Sequence, residues 1–110
     1  MSPSRFHLFA LLTLSFLSAI NGEYVSSVGE LASAYAIQCH DPRFFLLAAL
    51  CNVPNMRILG VIGSLFCALG REDIGDVFMA LHYGVVGIDD KELSPLGRLA
   101  SGAASLTLAL

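Results

Sequence analysis

The sequence predicts an all-α protein, a small bundle of about five short helices. Two helix starts are marked by a polar cap followed by proline, at Asp41-Pro42 and at Ser94-Pro95. Gly70 marks a helix end, because glycine readily takes the left-handed conformation in which helices terminate. No stretch alternates apolar and polar residues over the length of a strand. Helical segments with short connections therefore favour a bundle.

Residues 1–22 have the order of a secretory signal peptide. A polar start with one cation, Met1 to Arg5, precedes an apolar run from Phe6 to Ile20, and the small residue Gly22 follows. The run is about 15 residues, below the roughly 18 to 20 that a spanning helix needs. We therefore expect cleavage after Gly22 rather than retention as an anchor, leaving residues 23–110 as a single small domain.

The first three helices of that domain are expected before Gly70. Ser26 or Ser27 caps the first, with Glu30 completing a capping box. The second runs from Asp41-Pro42 to the Asn52-Val53-Pro54 segment, and the third from about Pro54 to Leu69. Small residues recur every four positions along the third helix, which predicts a face for close approach of a neighbour: Gly60, Ser64 and Ala68.

The remaining two helices are expected between Asp73 and the C-terminus. The fourth begins near Asp73 and ends at Gly84, and residues 85–88 are then a short extended piece. Asp89 and Glu92 have the spacing of a capping box. The last helix starts at Ser94-Pro95 and passes through Leu106.

Composition narrows the classes of partner. Hydrophobic residues make up 55% of the chain and its formal charge is −3, so no basic surface is available for nucleic acid. A chain this apolar and this short suggests an apolar small molecule or a protein partner. The predicted lining of an apolar ligand site consists of Phe44, Phe45, Leu47, Ile58, Ile62, Phe66, Phe78 and Leu81.

Three cysteines lie after the signal segment, and an oxidising compartment leaves one of them unpaired. If the second and third helices form an antiparallel hairpin, Cys39 and Cys67 meet at its open end. A helix of about ten residues would hold Cys39 and Cys51 roughly 15 Å apart, beyond the roughly 7 Å that a disulfide allows. We therefore predict a Cys39–Cys67 bridge and a buried free thiol at Cys51.

Nothing in the sequence indicates an enzyme, a cofactor or a metal site. His40 and His82 lack a nucleophile and an orienting group at a spacing that brings them together. Cys39, His40, Cys67 and His82 do not have the paired spacing of zinc ligands. The sequence therefore predicts a non-catalytic protein without a resident cofactor.

The leading prediction is a small secreted helical protein that acts by binding. The first alternative is a membrane-associated protein of the secretory pathway with a helical hairpin at about residues 44–69. Arg57 near the middle of that segment counts against a spanning helix. A further alternative is a truncated or weakly selected reading frame, since the chain ends on an apolar stretch.

Overall fold

The computed structural model describes residues 3–91 and 93–110, and of residues 3 and 4 the backbone only. Within these residues the chain is an all-α bundle, as predicted, but it has six helices rather than five. The additional helix is formed by the segment assigned to the signal peptide, whose removal stays a prediction. The helices are α1 (Pro3–Ile20), α2 (Tyr24–Cys39), α3 (Pro42–Asn52), α4 (Ile58–Ala68), α5 (Glu72–Asp89) and α6 (Pro95–Ala109).

The six helices form a closed ring. Each helix packs against its neighbours in sequence, and α6 returns to pack against α1. The ring is flattened, with extents of 33 × 32 × 20 Å. Leu11 and Leu14 of α1 are almost completely buried and belong to the same core as Phe45, Met79 and Tyr83. The N-terminal segment is therefore an integral part of the described bundle.

Small residues let α4 and α5 approach closely. A Cβ added to Gly63 would lie 2.9 Å from the backbone nitrogen of Met79, and one added to Gly75 would overlap the Sγ of Cys67. Of the predicted small-residue face, Gly60 and Ser64 are buried and Ala68 is half-buried. The approach to the backbone of α5 is made by Gly63, which that pattern did not include.

Large apolar side chains cover the outside of the ring. Every helix has exposed ones, while alanine, serine and glycine supply much of the interior. The exposed charged side chains of the described residues lie in loops or in the first or last turn of a helix. Twelve of these exposed apolar residues, drawn from all six helices, form what we call the outer belt: Phe9, Leu12, Phe16, Val28, Leu31, Leu46, Leu47, Leu65, Val77, Leu81, Val85 and Leu99.

The two cap-plus-proline starts are confirmed. The Asp41 side chain accepts a hydrogen bond from the backbone N–H of Arg43 at 3.0 Å, and that of Ser94 accepts from Gly97 at 3.1 Å. Gly70 has a φ of +86° after α4, in agreement with its predicted role as a helix end. These features depend on neighbours within a few residues, which is why the sequence reveals them.

Several predicted helix limits were wrong. The helix α2 begins at Tyr24, ahead of Ser26 and Ser27, so no Ser–Glu30 capping box forms. The helix α4 begins at Ile58 because residues 53–57 form a loop. The predicted capping box of Asp89 with Glu92 involves Glu92, which lies outside the described residues.

Gly84 does not end α5, which continues through residues 85–88 where an extended piece was expected. A Cβ on Gly84 would lie 3.3 Å from the Ser105 Oγ, so α6 runs close beside this turn. Ser105 and Ser101 donate hydrogen bonds to the backbone oxygens of Ala80 and Tyr83. Packing against α6 therefore outweighs the roughly 1 kcal/mol by which glycine disfavours a helix.

Candidate functional site

The most prominent cleft lies where the start of α4 meets the last turns of α5. Its volume is about 560 Å³, within the range of small-molecule sites. Most of the lining surface is apolar, and several polar or charged side chains contribute the rest. The lining residues are Met56, Arg57, Ile58, Leu59, His82, Val85, Val86, Asp89, Asp90 and Lys91.

An ion pair contributes to the lining of this cleft. The Arg57 guanidinium, just before α4, lies 3.3 Å from a carboxylate oxygen of Asp90, just after α5. Both side chains are largely buried, at 25% and 19% exposure. Arg98 of α6 braces the same loop by donating hydrogen bonds to the backbone oxygens of Gly87 and Asp90, at 2.7 and 2.8 Å. The end of α5 and the loop after it are thereby tied to two other parts of the fold, the start of α4 and α6.

His82 contributes an almost completely buried imidazole to the cleft. Only 6% of the residue is exposed, and the ring hydrogen-bonds no described residue, although its nitrogens are not fully enclosed. Its ring lies edge-on to Tyr83, with centroids 4.7 Å apart. Burial, assisted by the positive charge of Arg57, lowers the pKa of His82 to about 4. The imidazole is therefore neutral at ordinary pH and offers one donor and one acceptor.

Glycine makes room for the imidazole. A Cβ on Gly60 would lie 3.0 Å from the His82 Nδ1 and 2.7 Å from the Asn52 Nδ2. Asn52 donates its own hydrogen bond to the backbone oxygen of Ala48 at 3.1 Å. Helices α3, α4 and α5 thus meet at Gly60, which has no side chain to keep them apart.

A buried carboxyl group lies behind the cleft. The Ser18 hydroxyl of α1 donates to both carboxylate oxygens of Glu30 on α2, at 3.3 and 3.2 Å. Burial raises the pKa of Glu30 to about 7, against the opposing effects of Ser18 and Arg57. A cavity of about 10 Å³, room for about one water molecule, separates this carboxyl from His82 and Tyr83.

The predicted apolar lining does not surround one cavity. Ile58 lines the α4–α5 cleft, whereas Leu81 lines a groove between α5 and α6. Phe44 and Leu47 lie in a groove between α2 and α3, where Phe44 packs on Tyr35. The rest are placed elsewhere: Phe45 in the core, Ile62 half-buried on α4, and Phe66 stacked on Phe78 with ring centroids 5.9 Å apart.

The predicted Cys39–Cys67 bridge is absent, since all three cysteines are free. Cys39 ends α2 exposed, whereas Cys67 is buried against α5 beside Gly75 and Asp76. Their thiols point into different surroundings because α4 turns this face toward α5. Cys51 is free like the other two and lies half-buried against Gly29, whereas a buried thiol was predicted.

The ion pair and its partners were missed as a site. Arg57 drew attention only as an obstacle to membrane insertion, and His82 only as an isolated histidine. The one available signal was a single arginine two residues after the Asn52 to Asn55 segment. Its partner Asp90 lies 33 residues away, and only the ring closure brings them together.

Comparison with protein-family models, curated proteins and solved structures finds no match. Across the described ranges, no cluster of three or more His, Cys, Asp and Glu side chains is arranged to hold a metal ion. In the same part of the chain, no helix combines the length and the apolar character needed to cross a membrane.

Proposed function

We propose that this protein is a small binding protein that takes an apolar molecule into the α4–α5 cleft. The observation that supports the proposal is the cleft itself. It has a volume of about 560 Å³, and its lining is mostly apolar surface with a few polar groups, as in many small-molecule sites. The absence of catalysis belongs to the same proposal, and so does export, but with residues 1–22 retained in the chain, because the buried leucines of α1 belong to the core of the ring.

The walls of the cleft suit an apolar guest. Ile58 and Val85 are 64% and 45% exposed, so water now covers much of their surface. Covering that surface with a ligand gains about 25 cal/mol per Å² of apolar area removed from water. The braced loop around Asp90 limits the rearrangement that binding requires, which favours affinity.

The test is titration of the full chain with N-phenyl-1-naphthylamine, an uncharged apolar dye. We expect saturable binding of one dye per chain. Ile58→Trp fills the cleft and should weaken binding at least tenfold. Leu65→Trp, two turns further along α4 and outside the cleft lining, is the matched control and should leave the affinity unchanged. Equal effects of the two variants, or binding that does not saturate, would refute the cleft as the site.

A second candidate function, membrane association, is supported by the outer belt. Its exposed apolar residues occur on all six helices, and the exposed described charges stay near helix ends and loops. A protein partner would cover one face, whereas lipid acyl chains would cover many. Co-flotation with neutral phosphatidylcholine vesicles would support this candidate, and recovery of all the protein in the vesicle-free fraction would exclude it.

A further inference from the structure

The His82 side chain lines the cleft and hydrogen-bonds none of the described residues. Its ring nitrogens are not among the fully enclosed, unpartnered atoms of the described residues, so water reaches them. A ligand that fills the cleft displaces that water, and affinity is lost unless a group of the ligand replaces its hydrogen bond. The Nδ1 side of the ring abuts Gly60 and Asn52, and the residue as a whole lines the cleft.

The charges around the cleft do not favour a charged ligand. Arg57 is paired with Asp90, and the other two charged lining residues, Asp89 and Lys91, are exposed and of opposite sign. The described lining therefore has no net formal charge to attract an anion or a cation. An anionic group bound at Arg57 would also have to displace the Asp90 carboxylate from its partner, which costs binding free energy.

A hydroxyl group complements a neutral imidazole. The ring has one N–H donor and one nitrogen acceptor, and a hydroxyl can serve either of them. We infer that the cleft is selective for uncharged apolar molecules that carry a hydroxyl group, and that His82 hydrogen-bonds this group. The inference rests on the proposed function, because it assigns the ligand class of the same cleft.

The test compares three ligands of nearly equal shape: 2-naphthol, 2-methylnaphthalene and 2-naphthoate. Each is measured by displacement of N-phenyl-1-naphthylamine from the full chain at pH 7. We expect 2-naphthol to bind about tenfold more tightly than 2-methylnaphthalene, the ratio that one net hydrogen bond supports. We expect 2-naphthoate to bind no more tightly than 2-naphthol, because the Arg57 guanidinium is already paired.

Variants locate the preference at His82. His82→Phe should reduce the ratio of 2-naphthol to 2-methylnaphthalene affinity to about one, while leaving the affinity for 2-methylnaphthalene nearly unchanged. His82→Gln keeps a donor and an acceptor and should retain much of the preference. His40→Phe, the same change at an exposed histidine bonded to Glu72, is the control and should retain all of it.

The outcomes distinguish a failure of the hydroxyl preference from a failure of the proposed cleft. If the wild type binds 2-naphthol and 2-methylnaphthalene equally, the hydroxyl preference is refuted while the cleft stands. Tighter binding of 2-naphthoate refutes it as well and makes Arg57 the anchor. If none of the three ligands displaces the dye from wild type, the proposed cleft fails. Should His82→Phe not fold, the wild-type ligand ratio and His82→Gln still decide.

Discussion

Glu30 lies inside the ring, where its only described side-chain hydrogen bond comes from Ser18, and this burial makes its charge costly. Replacement by glutamine keeps an acceptor for the Ser18 hydroxyl and removes the charge. Glu30→Gln therefore mimics the protonated carboxyl group. We expect the variant to match wild type in acid and to exceed it in stability at alkaline pH.

The magnitude follows from the pKa difference between the folded and unfolded chain. The pKa of Glu30 rises from 4.5 to about 7 on folding because of burial. Below pH 4.5 both states hold the proton, and stability is complete. Between pH 4.5 and pH 7, Glu30 is ionised in the unfolded chain but protonated in the folded one, so the free energy of unfolding falls as the pH rises. Above pH 7 Glu30 is ionised in both states, and the loss stays constant. At about 1.4 kcal/mol per pH unit the loss is about 3 kcal/mol.

The assay is urea unfolding of wild type and Glu30→Gln at pH 4 and pH 8. His82 titrates in the same window with the opposite sign: its folded pKa of about 4 lies below 6.5, so its contribution is lost as the pH falls. The difference between variant and wild type at each pH isolates Glu30. Asp89→Asn, at the exposed end of α5, is the control and should change stability by under about 0.5 kcal/mol. The same Glu30→Gln effect at both pH values would refute the reasoning.

Three further predictions concern packing. Gly63→Ala should lower the free energy of unfolding by about 1–3 kcal/mol, because the added Cβ meets the backbone of α5. Gly102→Ala, where the added Cβ meets nothing, should raise the free energy of unfolding by about 0.5–1 kcal/mol. Chemical denaturation that gives the two variants similar effects would contradict this prediction. A chain of residues 23–110 lacks the buried leucines of α1, and its free energy of unfolding should fall by about 5 kcal/mol or more. We therefore expect it to melt without cooperativity, and a Tm equal to that of the full chain would refute the closed ring. Iodoacetamide should alkylate exposed Cys39 far faster than Cys67, whose burial raises its pKa to about 12; equal rates by peptide mass spectrometry would contradict the packing.

The sequence predicts features that depend on nearby residues and misses those that depend on ring closure. Asp41-Pro42 revealed the start of α3 because the cap bonds a residue two positions away. Glu30 was assigned to a helix cap, but its partner Ser18 belongs to the segment treated as removed. Because that segment closes the ring, the surroundings of Glu30 could not follow from residues 23–110 alone.

The candidate site shows the same limit. Arg57 and His82 were visible in the sequence as isolated residues, yet nothing local indicates that α4 and α5 place them on one cleft. The close approach of these helices depends on Gly63 and Gly75, which are not neighbours in sequence. The apolar residues predicted to form one lining were instead spread over the core and several separate surfaces.

The most direct test of the central claim is a set of intermolecular nuclear Overhauser effects between 2-naphthol and the isotope-labelled full chain. The account predicts contacts from the ligand to the methyl groups of Ile58 and Val86 and to the ring of His82, which all line the α4–α5 cleft. Contacts to Leu31 or Val77 of the outer belt without any to these three residues would contradict it.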